Sequence, residues 1–175
     1  MVIRKINKIR SLIPTEIAIL LVNSLVLSKL DYCNSLLIHI SQDKMKRLQH
    51  VQNCAARVIM RKNKFDSATP LLIELHWLPV NKRIIYKICT IVFKSILDQG
   101  PMYIKEMINI YTPSRNLRSS DDSNILIKPK TSLKIGERSF LFSAPHYWNI
   151  LPKHVRHSDN LGTFKSRLKF YLFTH

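Results

Sequence analysis

The residues of this chain best suited to chemistry are cations. Between positions 43 and 64 the sequence has seven lysines and arginines against one acidic residue, Asp43. On a helical wheel with 100° steps, most of the basic residues fall on one half and the apolar residues on the other. A row of basic side chains can neutralise the phosphates of a nucleic acid. The residues with this candidate role are Lys46, Arg47, His50, Arg57, Arg61, Lys62 and Lys64.

Two interpretations of this basic face are open. Most charged helix faces are simply solvated, and that interpretation needs no ligand. A phosphate-binding ridge is the sharper hypothesis, because the cations do not alternate with Glu or Asp as they usually do on a merely soluble face. Arg115 and Arg118, in a polar stretch further along, are secondary candidates for the same contact.

Groups for metal or nucleophilic catalysis are sparse. The eleven acids are scattered, and the adjacent pair Asp121 and Asp122 is typical of a turn. His154 and His157 have helical i, i+3 spacing, but no third ligand is close in sequence. The chain has no Gly-x-Ser-x-Gly motif, and its three glycines are too few for a phosphate-binding glycine loop. We therefore expect no active site, no metal and no cofactor.

The positions of the three cysteines predict that their thiols have a structural role. Cys33, Cys54 and Cys89 include no close pair, so they predict neither a disulfide framework nor a four-ligand zinc site. This usage fits a reducing compartment. Cys54 and Cys89 lie on predicted helical faces and are expected to be buried or half-buried, with Cys54 among the basic residues.

Length and composition predict one domain, or one and a small annex. The chain has 175 residues with 46% apolar content, and its 28 Lys and Arg against 11 Asp and Glu give a net charge of +17 that calls for an anionic partner. The longest apolar run, 17–27, is too short to span a membrane. The basic N-terminus lacks the apolar region of a secretory signal. We expect an intracellular protein, nuclear or cytoplasmic, without a membrane segment.

The elements that must position these residues are mostly helices. Apolar spacing predicts long helices at 15–30, 42–60 and 80–97, and shorter ones at 71–75 and 102–111. The first of them is apolar on most sides, which is typical of a helix that is buried or that packs on something larger.

The C-terminal part has a different composition. The polar stretch 112–124 predicts a loop and a subdomain boundary. Beyond it, 125–128 and 132–135 predict a small two-stranded element. A final amphipathic helix is predicted from the face that carries Leu161, Phe164, Leu168 and Tyr171. The predicted fold class is mainly α, with a small α+β C-terminal subdomain.

Six blocks resemble the C-terminal part of LINE-type (non-LTR) retrotransposon reverse transcriptases, in the same order. They cover roughly residues 20 to 173, and six ordered blocks are far more specific than a lone motif. The blocks are LDYCNSLL (30–37), LQHVQNCAAR (48–57), LHWLPV (75–80), YTPSRNLRSS (111–120), APHYWNILP (144–152) and FKSRLK (164–169).

The resemblance implies the region that follows the polymerase palm of an RNA-directed DNA polymerase. It implies a helical thumb-like region, which we place at 1–111, and a C-terminal extension, which corresponds to the small subdomain at 125–175 beyond the polar loop 112–124. The family's aromatic-x-Asp-Asp metal site, its endonuclease and the zinc knuckle of some relatives have no counterpart in these residues. Asp121 and Asp122 stand in the wrong block for that metal site, so we expect a chain that is not an enzyme.

The basic face of 43–64 and the resemblance to reverse transcriptases both predict contact with the phosphate backbone of RNA, DNA or an RNA–DNA hybrid, without preference for sequence. Two alternatives stay open. The chain is a functionless genomic remnant, or it is a protein-interaction module whose apolar helix docks a partner. For the retrotransposon remnant, the run 17–27 is expected to be exposed where the palm is missing and to drive self-association.

Overall fold

The structure is a computed structural model, and it describes residues 2–112, 124–133 and 136–175. Helices dominate these ranges, so the predicted mainly α class is confirmed. The helices of the first half are α1 (Val2–Ile9), α2 (Thr15–Val22), α3 (Ser28–Asp31), α4 (Gln42–Ile59) and α5 (Thr69–Glu74). Those that follow are α6 (Val80–Ile96), α7 (Met102–Met107), α8 (Phe140–Ile150), α9 (Lys153–Arg156) and α10 (Leu161–Thr174). Two 3₁₀ turns, Asn34–Leu37 and Gly136–Arg138, and the π-helical segment Asn23–Leu27 complete the helical elements of the described ranges.

The chain divides into two compact units, Met1–Arg83 and Ile84–His175, and the boundary falls inside α6. The sequence predicted the boundary in the loop 112–124, most of which lies outside the described residues. None of the helices in the described ranges is both long and apolar enough to cross a membrane.

In the first unit, α2 and α3 form one helical rod, because the π-helical segment Asn23–Leu27 joins them. The hydroxyl of Ser24 donates to the Leu20 carbonyl at 2.8 Å, and Ser28 donates to the Ser24 carbonyl in the same way. Such bonds from a side chain to the preceding turn accompany local departures from α-helical geometry. The rod buries one stripe and leaves another exposed, and both stripes contain apolar residues, as the sequence predicted for a helix that is apolar on most sides. Its buried residues include Ala18, Val22, Val26, Leu27 and Leu30.

The core of the first unit forms where this rod and α1 pack on α4. Ala55, Ala56 and Ile59 of α4 are fully buried, and Ile6 of α1 packs with them. Small alanines on α4 allow neighbouring helices to approach closely, while Ile6 and Ile59 fill the space between them. Trp77, from the chain after α5, completes the cluster.

A buried amide network fixes α4 against the start of α6. Gln52 is fully buried, and its Nε2 donates to the Leu78 carbonyl at 2.9 Å. The side chain of Gln49 bonds Gln52 at 2.9 Å, and its Oε1 accepts from the Val80 N–H at 2.8 Å. A buried amide is stable only when its donors and acceptors are paired, and this network pairs them.

The second unit is built around aromatic side chains. Phe93 of α6 stacks on Phe164 of α10 with ring centroids 4.1 Å apart, and Trp148 of α8 lies 5.7 Å from Phe164 in a tilted arrangement. The Trp148 indole N–H donates to the Asn124 carbonyl at 2.6 Å. Because all three rings are buried, α6, α8 and α10 share one core.

The described residues do not support the predicted small α+β C-terminal subdomain. Among the described residues, 125–128 and 132–133 do not pair with each other. Leu126 forms an isolated antiparallel bridge with Ile110 instead. Lys134 and Ile135, the second half of the other predicted strand, lie outside the described residues.

The reason lies in the side chain of Asn149. Its Oδ1 accepts from the Leu126 N–H at 2.9 Å, and its Nδ2 donates to the Leu126 carbonyl at 2.8 Å. This amide therefore satisfies both backbone groups that a neighbouring strand would otherwise satisfy. The Leu126 side chain is buried, and the segment lies against α8 without forming a sheet.

Candidate nucleic-acid interface

A groove on the surface of the first unit brings cations from α1 and α4 together. It has a volume of about 730 Å³, and none of its ten lining residues is acidic. Six of them are basic, counting one histidine. The lining residues are Ile3, Arg4, Asn7, Lys8, His50, Cys54, Arg57, Val58, Lys62 and Lys64.

Four of the predicted phosphate-binding residues line this groove: His50, Arg57, Lys62 and Lys64. Arg57 is half-buried, and its Nε donates to the Asp66 carbonyl at 2.8 Å, which fixes the guanidinium beside the groove. The ammonium of Lys64 lies 4.7 Å from the centre of the Phe65 ring, a cation–π distance.

The structure places Arg61 differently from the pattern on the wheel. Helix α4 ends in a Schellman motif, in which the N–H groups of Arg61 and Lys62 donate to the carbonyls of Val58 and Arg57. Arg61 has a positive φ of 50° there. Its side chain lines a second pocket of about 390 Å³ together with Lys62, and its Nη2 donates to the Arg10 carbonyl at 3.1 Å.

The remaining predicted residues lie apart from the groove. Lys46 and Arg47 are exposed and one turn before His50 on the same face of α4, so they extend the basic face beyond the lining residues. Arg115 and Arg118 lie outside the described residues, as do Asp121 and Asp122.

Sequence reasoning missed the two cations of α1. Arg4 and Lys8 are exposed, lie at i, i+4 and line the groove opposite α4. The signal was present, because Val2, Ile3 and Ile6 alternate with Arg4 and Lys8 as on an amphipathic helix. What the sequence did not indicate is which helix this short segment packs against.

Arg10 is the residue that fixes α1 to α4, and its role was also missed. Its side chain is only 4% exposed, and its Nε and Nη2 donate to the Ile59 carbonyl at 3.0 and 2.7 Å. In addition, Arg10 Nη1 donates to the Ile13 carbonyl at 2.9 Å, and Arg10 Nη2 donates to the Thr15 hydroxyl at 2.9 Å. Burial, followed by the neighbouring charge of Arg61, lowers the pKa of Arg10. The guanidinium nevertheless stays charged, since arginine does not lose its proton in proteins, and it faces the negative end of the α4 dipole.

The cysteines have three different environments. Cys33 is exposed, Cys54 is half-buried in the groove, and Cys89 is fully buried in the second unit. The Cys54 sulfur lies 3.4 Å from Nε2 of His50, which precedes Cys54 by one helical turn. Burial raises the pKa of the Cys89 thiol to about 12. Within the described ranges, no three His, Cys, Asp or Glu side chains are placed to share a metal ion.

The geometry of the groove suits a ligand with several spaced anionic groups. Its cations come from two helices and from the chain after α4, so they spread over more than one helical turn.

Comparison with known proteins does not assign the chain to a family. No protein-family model matches the chain, and no curated protein or solved structure is significantly similar to it.

Proposed function

We propose that this chain is the non-catalytic C-terminal part of a non-LTR retrotransposon reverse transcriptase, and that it holds nucleic acid by the phosphate backbone in the α1–α4 groove. The observation that carries the proposal is the lining of the groove, in which six basic side chains meet without a carboxylate. On a merely solvated face, acidic residues normally alternate with basic ones. Here no lining carboxylate competes with phosphate for the cations.

The retrotransposon part of the proposal rests on the resemblance of the six ordered blocks, and hydrogen bonds join the segments of three of them within the first unit. Gln52 of the block 48–57 donates to the Leu78 carbonyl of the block 75–80. Asp31 of the block 30–37 accepts two bonds from Arg83, just after the block 75–80.

Under this proposal the first unit is a thumb-like helical element, and the protein works inside the cell, in the nucleus or the cytoplasm. The chain has no polymerase or nuclease activity of its own. An assay with Mg²⁺ or Mn²⁺ that found such activity, and its loss in Asp121→Asn or Asp122→Asn, would contradict this part.

The test is equilibrium binding of the full chain to an RNA–DNA hybrid, a DNA duplex and single strands over a salt series. The test variant is Lys8→Gln, Lys62→Gln, Lys64→Gln, three exposed lysines of the groove. The control is Lys5→Gln, Lys29→Gln, Lys44→Gln, three exposed lysines of the same unit that do not line the groove.

Each phosphate contact contributes a slope of about 0.7 to 0.9 in log K against log salt, so the groove variant should flatten the slope by about two to three. The control should change it much less, although it removes the same charge. Equal effects of the two variants would mean that net charge alone attracts the nucleic acid. No binding to any probe would refute the proposal.

A second candidate function is favoured by the exposed apolar stripe of the first helical rod. Ile17, Leu20 and Leu25 are 44%, 60% and 43% exposed, and Leu25 lines an apolar groove of about 360 Å³. On this candidate the chain is a protein-interaction module, which packs on the missing palm or on a second copy of itself. Its signature is concentration-dependent association in sedimentation that Leu20→Glu abolishes and that salt does not weaken. A chain that neither binds nucleic acid nor associates would fit a functionless remnant.

A further inference from the structure

We infer that the α1–α4 groove takes single-stranded nucleic acid, with a base on its floor, in preference to a duplex. The inference rests on the proposed function and names the form of nucleic acid that the same site binds. It differs from a thumb that only follows the backbone of a double helix.

The floor of the groove is apolar although its rim is cationic. Ile3 of α1 and Val58 of α4 are half-buried there, and the half-buried thiol of Cys54 lies with them. The cations come from both helices, with Arg4 and Lys8 on α1 and Arg57 on α4. The site therefore offers two kinds of contact, a charged one at the rim and an apolar one between the helices.

A duplex can use only the charged contact. It hides the faces of its bases in its own stack and presents phosphates, sugars and groove edges to the outside. These groups neutralise the rim and leave Ile3 and Val58 in contact with water.

An unpaired strand can use both contacts. Its bases have free faces, and a base on the floor removes apolar surface from water while the flanking phosphates meet the rim. The one aromatic ring among the ten lining residues is the exposed His50 imidazole, so the contact with Ile3 and Val58 on the floor is aliphatic. An aliphatic floor accepts any base, which predicts a preference for single strands without a preference for sequence.

Cys54 provides a reporter for occupancy of the floor. In a Cys33→Ser background it is the accessible thiol of the chain, because Cys89 is fully buried. A strand with a base on the floor should shield Cys54 from N-ethylmaleimide. A duplex that binds only at the rim should leave the Cys54 thiol accessible to N-ethylmaleimide.

The experiment measures affinity and the rate of Cys54 alkylation with four probes of equal length: oligo-dT, an abasic strand with the same phosphates, a DNA duplex and an RNA–DNA hybrid. We expect oligo-dT to bind at least about five-fold tighter than each of the other three at the same salt concentration. We also expect oligo-dT, and none of the others, to slow alkylation by a similar factor. The salt slopes of oligo-dT and the abasic strand should agree, since their phosphates are the same.

A second variant tests the floor without touching the rim. Val58→Thr keeps the shape of the side chain and makes it polar, so it should weaken oligo-dT binding several-fold at an unchanged salt slope. Binding of the duplex should stay the same.

The outcomes separate this inference from the proposed function. If the duplex or the hybrid binds as tightly as oligo-dT and shields Cys54 equally, the inference is overturned and the proposed function stands. If the abasic strand matches oligo-dT, the base contact is absent and the inference is again overturned. If no probe binds, the proposed function fails, and this inference fails with it.

Discussion

The guanidinium of Arg10 caps the end of α4 through two hydrogen bonds to the carbonyl oxygen of Ile59, at 3.0 and 2.7 Å. The bonds join residues 49 positions apart in sequence. They fix the chain after α1 against the last turn of α4, and the groove lies between these two helices. Arg10 thus positions the cations of the groove without lining it.

Arg10→Met should destabilise the protein strongly. The change keeps much of the aliphatic stem but leaves the buried Ile59 carbonyl without its donor, which lowers the free energy of unfolding by about 2 to 4 kcal/mol. Urea denaturation followed by circular dichroism measures this. Arg4→Met on the exposed side of α1 is the control and should stay within about 0.5 kcal/mol. Equal effects of the two changes would contradict the capping role.

The ion pair between Asp31 and Arg83 should contribute modestly. The pair is bidentate, because Arg83 Nε donates to Asp31 Oδ1 at 2.8 Å and Arg83 Nη2 donates to Asp31 Oδ2. Both side chains are partly exposed, so water and salt weaken the attraction. A double-mutant cycle with Asp31→Asn and Arg83→Gln should give a coupling of about 0.5 to 1.5 kcal/mol at low salt.

The more exposed pair of Lys105 and Asp98 serves as the comparison for that cycle. Its coupling should be smaller and should vanish at about 0.5 M salt, because the screening length is then only a few ångströms. A larger coupling in this pair than in the Asp31 pair would show that burial is not the deciding factor.

Stability should fall in alkaline solution because of Cys89. Burial raises the pKa of this thiol from 9.0 to about 12, so the folded protein holds the proton more tightly than the unfolded chain does. The resulting stabilisation is complete below pH 9 and is lost as the pH rises from 9 to 12, by about 1.4 kcal/mol per pH unit within that window. Burial also raises the pKa of Tyr86 and Tyr147, which acts in the same direction.

Urea denaturation from pH 8 to pH 10.5 measures this dependence, and Cys89→Ala isolates the thiol. The variant should be less stable at pH 8, since it leaves a small cavity, but its stability should decline less steeply above pH 9. Parallel curves for the two proteins would contradict the assignment to Cys89.

The aromatic core of the second unit predicts a contrast within α10. Phe164 is fully buried and stacks on Phe93, whereas Phe170 on the same helix is 71% exposed. Phe164→Ala should lower the free energy of unfolding by about 3 to 5 kcal/mol, and Phe170→Ala by less than about 0.5 kcal/mol. Thermal denaturation of the two variants side by side makes the comparison, and similar melting temperatures would contradict this core.

Regular helices were predictable because their signal is local. The 3.6-residue period placed α4 and α6 within about two residues of their ends, and it placed Ala55, Ala56 and Ile59 on the buried face. The same pattern put Val51 on the apolar half, yet Val51 is partly exposed while Gln52 beside it is fully buried. Gln52 tolerates burial because its side-chain N–H donates a hydrogen bond to the Leu78 carbonyl. A helical wheel cannot show this partner, because it lies 26 residues away in the sequence.

The sequence by itself determined the class of the fold, the excess of cations and the stretch of α4 that carries many of them. The tertiary structure alone decided which cations meet, since Arg4 and Lys8 join His50 and Arg57 because Ile6 and Arg10 hold α1 against α4. It also decided that Leu126 bonds to the side chain of Asn149 and is not part of a sheet. Propensity and periodicity act over a few residues, whereas the pairing of buried polar groups is settled between segments far apart in the chain.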